Sequence, residues 1–147
     1  EYLTFEVQPF LRVELDDTPM ISDGVITARV KVDRGVSKDD FKKVVAQTGD
    51  YSDSYLNMTD IQLFVSYSSS CGYRARDERW SNEILYSGKA FETQFGKTIT
   101  ITSNPKNPIP SGRKVFIRAA ARINYDTPAG SGTRRWNYSE VVEVDIP

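Results

Sequence analysis

The chain has 147 residues, of which 39% are hydrophobic. That is enough to bury one core but not two, so we expect a single domain. Its formal net charge is -1 with acidic and basic residues interspersed, which argues against nucleic acid or an anionic membrane surface as a partner. The absence of histidine excludes Ser-His-Asp and Cys-His nucleophile activation and histidine-ligated zinc, and the single cysteine, Cys71, excludes an intrachain disulfide.

Alternation of apolar and polar residues with a period of two predicts β-strands along most of the chain. In chain order the apolar rows are Leu11/Val13/Leu15, Ile26/Ala28/Val30/Val32, Ile61/Leu63/Val65/Tyr67, Ile99/Ile101, Val115/Ile117/Ala119/Ala121/Ile123 and Val142/Val144/Ile146. A further short strand is expected around Glu83 to Tyr86. Turn residues separate these segments, so the pattern predicts an all-β fold, a seven-stranded antiparallel sandwich of two sheets.

One segment departs from this alternation. Between the second and third predicted strands, Phe41, Val44 and Val45 recur at helical spacing. Ser37 is suited to cap the first turn, acidic residues follow it there, and Gly49 supplies a stop. The sequence therefore predicts one short inserted helix at about residues 37–47.

The last third of the chain has the pattern of a closing hairpin. A Pro110-Ser111-Gly112 turn precedes a strand with Arg118 in its middle, and the run Ser139-Glu140-Val141-Val142 begins the final strand. These features resemble the closing hairpin of a fibronectin type III domain. The resemblance implies an immunoglobulin/fibronectin type III-like sandwich, a fold that serves binding and spacing far more often than catalysis.

A narrower resemblance rests on residues 4–13 (Thr-Phe-Glu-Val-Gln-Pro-Phe-Leu-Arg-Val), 24–30 (Gly-Val-Ile-Thr-Ala-Arg-Val) and 61–66 (Ile-Gln-Leu-Phe-Val-Ser). They look like the C-terminal domain of an uncharacterised family of Bacteroidetes outer-membrane lipoproteins. The genes of that family tend to accompany starch-utilisation-type glycan uptake systems, and a small transthyretin-like β-domain precedes this one. The resemblance implies that residues 1–10 enter from a missing N-terminal domain and that residues 11–147 form the fibronectin type III-like domain.

Four aromatic residues in irregular or outward positions are candidate ligand-binding residues: Tyr73, Trp80, Trp136 and Tyr138. Flat aromatic faces stack on the apolar faces of sugar rings, while neighbouring Asp, Asn and Arg side chains bond hydroxyl groups. The alternative is that Trp80 and Trp136 cap the ends of the sandwich or seal an interdomain contact, since tryptophan is readily used in packing.

In the geometry that the resemblance implies, the third, fifth and last strands share a sheet. Its outer face would then carry four candidate interface residues: Phe64, Phe116, Arg118 and Arg122. Aromatic and arginine side chains are enriched in protein interfaces. The alternative is a mixed solvent face on which the arginines lie over phenyl rings by cation-π contact.

Carboxylate pairs offer the remaining route to catalysis without histidine. Asp16/Asp17, Asp39/Asp40, Asp77/Glu78 and Asp50/Asp53 all stand in turn or helix-start contexts, where acidic residues are ordinary, and none has the ligand count of a calcium loop. We therefore expect no catalytic residues, no metal and no cofactor, and Cys71 is expected to be a plain core or loop cysteine. The sequence also has no stretch long and apolar enough for a membrane span.

The residue patterns predict a non-catalytic module, and the resemblance to the lipoprotein family implies that it belongs to a surface lipoprotein, in an extracellular or outer-membrane location, with a binding or scaffolding role in glycan uptake. Its expected partners are a polysaccharide or an outer-membrane glycan-uptake complex, and an N-terminal β-domain of the same protein. The competing hypothesis is a purely structural spacer or protein-docking domain that has no ligand of its own.

Overall fold

A computed structural model of the chain describes residues 10–47, 49–125 and 136–147. The strands in these ranges are β1 (Leu11–Ser22), β2 (Val25–Arg34), β3 (Met58–Ser66), β4 (Asn82–Leu85), β5 (Thr98–Thr102), β6 (Lys114–Ile123), β7 (Asn137–Tyr138) and β8 (Val142–Asp145). One α-helix, α1 (Lys38–Ala46), lies between β2 and β3, and Asp53–Leu56 and Glu92–Gln94 form 3-10 turns. Residues 1–9, most of the segment expected to enter from an N-terminal domain, lie outside the described residues. The domain division at residues 10/11 therefore stays a prediction.

The strands form two antiparallel sheets. The three-stranded sheet has the order β1-β2-β5, and the five-stranded sheet has the order β4-β3-β6, with β7 and β8 both paired to β6. On one side β6 pairs with β3. On its other side β6 pairs first with β7 and then with β8, so these two short strands together take the place of one strand with a break in it. The predicted all-β sandwich with one short helix is confirmed.

The core lies between the two sheets and is built from alternate residues of each strand. On β2 the residues Ile26, Ala28, Val30 and Val32 are buried, and on β6 the same holds for Val115, Ile117, Ala119, Ala121 and Ile123. Because successive side chains of a strand point to opposite faces, the same register that buries this row directs the intervening residues outward. Those outward residues on the five-stranded sheet build the candidate site.

The tight turn between β1 and β2 depends on Gly24. Asp23 and Gly24 both have positive φ, at 52° and 77°, as two-residue hairpin turns require. The Gly24 carbonyl also accepts a hydrogen bond from the Ile109 N–H at 2.8 Å, so the loop before β6 lies directly against this turn. The hairpin and the 104–112 loop thereby pin each other at one end of the sandwich.

Helix α1 lies in the connection between β2 and β3 and packs against the core. Ser37 is its N-cap and accepts a hydrogen bond from the Asp40 N–H at 3.1 Å, as predicted. Phe41 and Val45 are buried, whereas Val44 is 46% exposed. Phe41 packs in a group of edge-to-face rings that also holds Phe10, Tyr51 and Tyr125. No helix in the described part of the chain is long and apolar enough to cross a membrane.

Candidate functional site

The outer face of the five-stranded sheet is covered by the chain itself. Phe64 on β3 and Ala120 on β6 point away from the main core and form a second buried cluster with Cys71 of the loop at 67–81. Phe116, Trp136 and Val141 pack against it. The loop is held down at Cys71, whose thiol donates to the Phe64 carbonyl at 3.4 Å.

The prediction that Phe64 contacts a partner is therefore wrong, because its side chain is 0% exposed. Its position on the outer face was correctly predicted, but the rings of Tyr73 and Trp136 close over it at centroid distances of 6.2 and 5.5 Å. Phe116 on the neighbouring strand is half-buried in the same cluster.

Trp80 does not belong to an accessible ligand site either. It is 3% exposed and lies in the main core, where its ring meets Tyr67 edge-on at 5.2 Å. A tight turn aims it inward: the N–H groups of Trp80 and Ser81 both donate to the Asp77 carbonyl, at 3.2 and 3.1 Å. This corrects the sequence-based assignment of Trp80 to ligand binding and agrees with the packing alternative.

The other three candidate aromatic residues come together on the outer face. Tyr73 and Trp136 are stacked at 29° with centroids 5.8 Å apart, and the Tyr73 N–H donates to the Tyr138 hydroxyl at 3.3 Å. Tyr73 is 41% exposed, Tyr138 is 36% exposed and Trp136 is half-buried. We call Tyr73, Trp136 and Tyr138 the aromatic cluster.

A guanidinium group lies over each ring of the aromatic cluster. The pairs are Arg76 with Tyr73 at 4.2 Å, Arg122 with Trp136 at 4.0 Å and Arg118 with Tyr138 at 4.4 Å. Arg118 also donates from Nε to the Ser139 carbonyl at 2.7 Å. The predicted interface residues Arg118 and Arg122 thus make cation-π contacts, as in the alternative interpretation, but their partners are Tyr138 and Trp136 and not the expected phenyl rings.

An open polar pocket of about 440 Å³ lies beside the aromatic cluster. Tyr73, Arg76 and Arg122 form one part of its lining, and the rest comes from Gln62, Glu78, Ser81, Asn82 and Glu83. Its floor is the outward row of β3 and β4, where the register places Gln62 opposite Glu83. We call this the polar pocket.

Hydrogen bonds hold the floor of the polar pocket in one arrangement. The nearly buried Asp60 carboxylate accepts from Arg122 Nε at 2.7 Å and from Gln62 Nε2 at 2.7 Å. Gln62 Nε2 also donates to Glu83 Oε2 at 3.0 Å, so both N–H groups of this amide are used. The amide is therefore oriented before any ligand arrives, which reduces the entropy lost on binding.

The sequence-based candidates did not include Gln62, Arg76 and Glu83, although the segment 72–82, which contains Arg76, was expected to have the residue types that bind sugars. They lie on β3, in the loop at 67–81 and on β4, and no local motif connects them. The available signal was the alternation on β3, which places the polar Gln62 on the outward face, but only strand pairing shows that Glu83 stands opposite it.

The chemistry of the site is that of recognition. Exposed aromatic surface adjoins amide, carboxylate and guanidinium groups, which present hydrogen-bond donors and acceptors together. Among the described residues no group of three or more Asp, Glu or Cys side chains is placed to hold a metal ion.

A second, less polar cavity of about 580 Å³ lies on the other side of Tyr138. Val13 and Leu15 of β1 line one wall, and Arg118 and Val142 line another. It follows the gap between the edge strand β1 and the break that separates β7 from β8. Tyr138 lines this cavity and accepts a hydrogen bond from the N–H of Tyr73, which lines the polar pocket.

The chain is similar to proteins of known structure. No family model and no curated protein matches the chain. A solved DUF3823 family protein from Bacteroides uniformis is 64% identical with a TM-score of 0.91, over 97% of this chain and 58% of that one. A candidate carbohydrate-binding protein from the same species is 18% identical with a TM-score of 0.62, over 97% of this chain and 60% of that one.

A DUF3823 family protein from Bacteroides ovatus is 14% identical with a TM-score of 0.57, over 95% of this chain and 57% of that one. The two distant matches show the fold alone, and in each of the three comparisons this chain spans less than two thirds of the other protein. The chain is thus a close structural match to somewhat over half of a DUF3823 family protein from Bacteroides.

Proposed function

We propose that this chain is a non-catalytic glycan-binding module of the DUF3823 family. The observation that carries the proposal is the juxtaposition of exposed Tyr73, stacked on Trp136, with a pocket whose amide and carboxylate groups are already oriented. Family membership is supported by the 64% identity to the Bacteroides uniformis protein, of which this chain spans 58%.

The ligand class follows from the two kinds of surface. A sugar ring has an apolar face of C–H groups that packs on an aromatic ring, and hydroxyl groups around its edge that need donors and acceptors. The part of Tyr73 that Arg76 and Trp136 leave exposed, 41% of the residue, supplies the first. Glu83, Arg122 and the Gln62 carbonyl oxygen supply the second within one pocket. A purely apolar ligand would displace water from these groups without satisfying the hydrogen-bonding positions that their contacts within the chain leave open, at a cost for each.

The similarity to a candidate carbohydrate-binding protein is consistent with this ligand class. At 18% identity that likeness bears on the fold, so the residues of the polar pocket carry the argument for this chain.

The setting that we propose is the extracellular or outer-membrane surface, within a longer lipoprotein that takes part in glycan uptake. An N-terminal β-domain of the same protein and an outer-membrane glycan-uptake complex are the proposed partners. The support is the family resemblance together with the length of the similar proteins, of which this chain spans 57 to 60%. Assignment to the fibronectin type III-like sandwiches is supported by the strand order, with β1, β2 and β5 facing β3, β4, β6 and the last strand.

A structural spacer or docking domain is the second candidate. It is favoured by the fact that every ring of the aromatic cluster already has a guanidinium partner in the chain. In this case the cluster would serve only to fasten the loop at 67–81 over the sheet.

Glycan binding by the intact chain decides between the two candidates. We expect a panel of polysaccharides, screened by affinity electrophoresis and measured by calorimetry, to contain a ligand whose affinity falls at least about tenfold in Tyr73→Ala, about 1.4 kcal/mol. Tyr67→Ala is the matched control, because Tyr67 is similarly exposed at 47% but lies outside the polar pocket. Binding of no glycan by the folded wild type would support the spacer, and turnover abolished by one carboxylate substitution would contradict a non-catalytic role.

A further inference from the structure

The charges around the polar pocket restrict its ligand further. We infer that the site takes neutral glycans and discriminates against glycans that carry carboxylate or sulfate groups. This inference rests on the proposed glycan-binding function and assigns the substrate class of the same site.

Both guanidinium groups of the pocket already have a carboxylate partner. Arg122 donates from Nε to Asp60 at 2.7 Å, and Arg76 donates from its NH2 nitrogen to Glu78 at 3.0 Å. Arg76 also donates to the Tyr73 carbonyl, and each guanidinium lies against a ring of the aromatic cluster. Their remaining N–H groups can serve sugar hydroxyls, but their charge is compensated within the protein.

The two carboxylates that line the pocket, Glu78 and Glu83, are in contrast exposed. The Glu78 side chain is 79% exposed while that of its partner Arg76 is 22% exposed, and Glu83 is exposed on the edge strand β4. Glu83 accepts its hydrogen bond from the neutral Gln62 amide, and no described residue forms an ion pair with it. The pocket lining holds Glu78 and Glu83 against Arg76 and Arg122. Since Arg76 pairs with Glu78 and Arg122 pairs with Asp60 behind the lining, Glu83 is the lining carboxylate that has no guanidinium partner among the described residues.

An anionic sugar in this pocket would therefore stand beside the exposed Glu83 carboxylate, and both guanidinium groups that line the pocket are already paired with carboxylates. Like charges brought together at a binding surface repel each other, so we expect an anionic sugar to bind at least about tenfold more weakly than its neutral counterpart. A neutral sugar meets no such cost, because Glu83 accepts hydrogen bonds from hydroxyl groups as well as from an amide.

The test uses the intact chain and two sets of probes. The neutral set is starch, β-glucan, galactomannan and arabinoxylan, and the acidic set is homogalacturonan, alginate, hyaluronan and heparin. The best neutral ligand is then compared with its own derivative in which the primary alcohols are oxidised to carboxylates. We expect that derivative to bind at least about tenfold more weakly, and its affinity to rise with salt because salt screens the repulsion.

Glu83→Gln removes the charge but keeps an acceptor oxygen for Gln62. We expect it to narrow the difference between the neutral ligand and its oxidised derivative by at least about threefold, since one of the repelling charges is gone. Glu92→Gln is the control, because Glu92 is an exposed carboxylate paired with Arg34 outside the polar pocket.

The outcomes separate the two proposals. Tightest binding to an acidic glycan that is lost in Tyr73→Ala and weakened by salt would overturn the neutral-ligand inference while leaving the glycan site in place. Binding to neither set would overturn both. Unchanged discrimination in Glu83→Gln would overturn the role assigned to this carboxylate in rejecting anionic sugars.

Discussion

Arg122 and Asp60 form a charge pair on neighbouring strands, with Nε 2.7 Å from Oδ1. The Asp60 side chain is 2% exposed and that of Arg122 is 24% exposed, so the carboxylate depends for its hydrogen bonds on this partner, on Gln62 and on the Thr59 hydroxyl, which donates to Oδ1 at 2.6 Å. Because Arg122 lines the polar pocket and lies over Trp136, the pair connects the polar pocket to the aromatic cluster.

Removal of Asp60 should be costly. Asp60→Ala leaves the guanidinium of Arg122 without its counter-charge in a largely buried position, and we expect the free energy of unfolding to fall by about 3 kcal/mol or more. Urea denaturation measures it. Asp53→Ala is the control, because Asp53 pairs with Lys38 at 3.3 Å on the surface, where such a pair contributes at most about 1 kcal/mol. Equal effects of the two substitutions would contradict the structural role of Asp60.

Gly24 should tolerate no side chain. A Cβ there would lie 2.6 Å from the Ile109 carbonyl oxygen and 2.9 Å from Pro108 Cβ, and its φ is +77°. We expect Gly24→Ala to lower the free energy of unfolding by about 3 kcal/mol or more, from backbone strain and overlap together.

Two other glycines separate these causes. Gly88 has φ +56° but open space around its Cβ position, so Gly88→Ala should cost only about 1 to 2 kcal/mol. Gly49 has neither feature, so Gly49→Ala should be neutral or slightly stabilising. The ranking Gly24, Gly88, Gly49 in thermal melts checks the argument, and Gly24→Ala as mild as Gly88→Ala would show that the loop at Ile109 yields.

Truncation of Trp80 and of Leu85 should lower the free energy of unfolding by very different amounts. Trp80→Ala empties a large volume in the main core, where the residue is 3% exposed, and should cost about 3 to 5 kcal/mol in denaturant unfolding. Leu85 is 70% exposed on β4, so Leu85→Ala should change stability by no more than about 0.5 kcal/mol. A stable Trp80→Ala variant would be incompatible with a core position.

Cys71 should be unreactive while the protein is folded. Burial raises the pKa of its thiol from the ordinary 9.0 to about 11, with Arg118 opposing in part. At pH 8 we expect the native thiol to react with a disulfide reagent more than about a hundredfold more slowly than in denaturant. Rapid labelling of the native protein would contradict its burial.

The raised pKa of Cys71 also predicts how the free energy of unfolding depends on pH. A folded-state pKa above the unfolded value means that the contribution of Cys71 is fully present below about pH 9 and is lost as the pH rises towards 11. Cys71→Ala should remove this part of the alkaline decline in unfolding free energy. An identical alkaline decline in both proteins would exclude the thiol as its source.

The strands and the helix were predictable because their signals are local. Alternation on β2 and β6 names the buried row directly, and Ser37 with Phe41 and Val45 marks the helix, since both patterns follow from backbone geometry within one segment. Alternation also separates Phe64 and Arg118 from the buried rows, whereas their place on one sheet was expected from the family resemblance and is seen in the register that pairs them.

Whether a face is open or covered was decided by contacts between distant segments. Trp80 and Trp136 each follow an arginine and precede a small polar residue, yet the first lies in the core and the second lies on the outer face. Their surroundings are set by the turn at Asp77 and by the pairing of β7 with β6, which nearby residues do not encode. The polar pocket has the same origin, because Gln62 and Glu83 meet only through the register of β3 and β4.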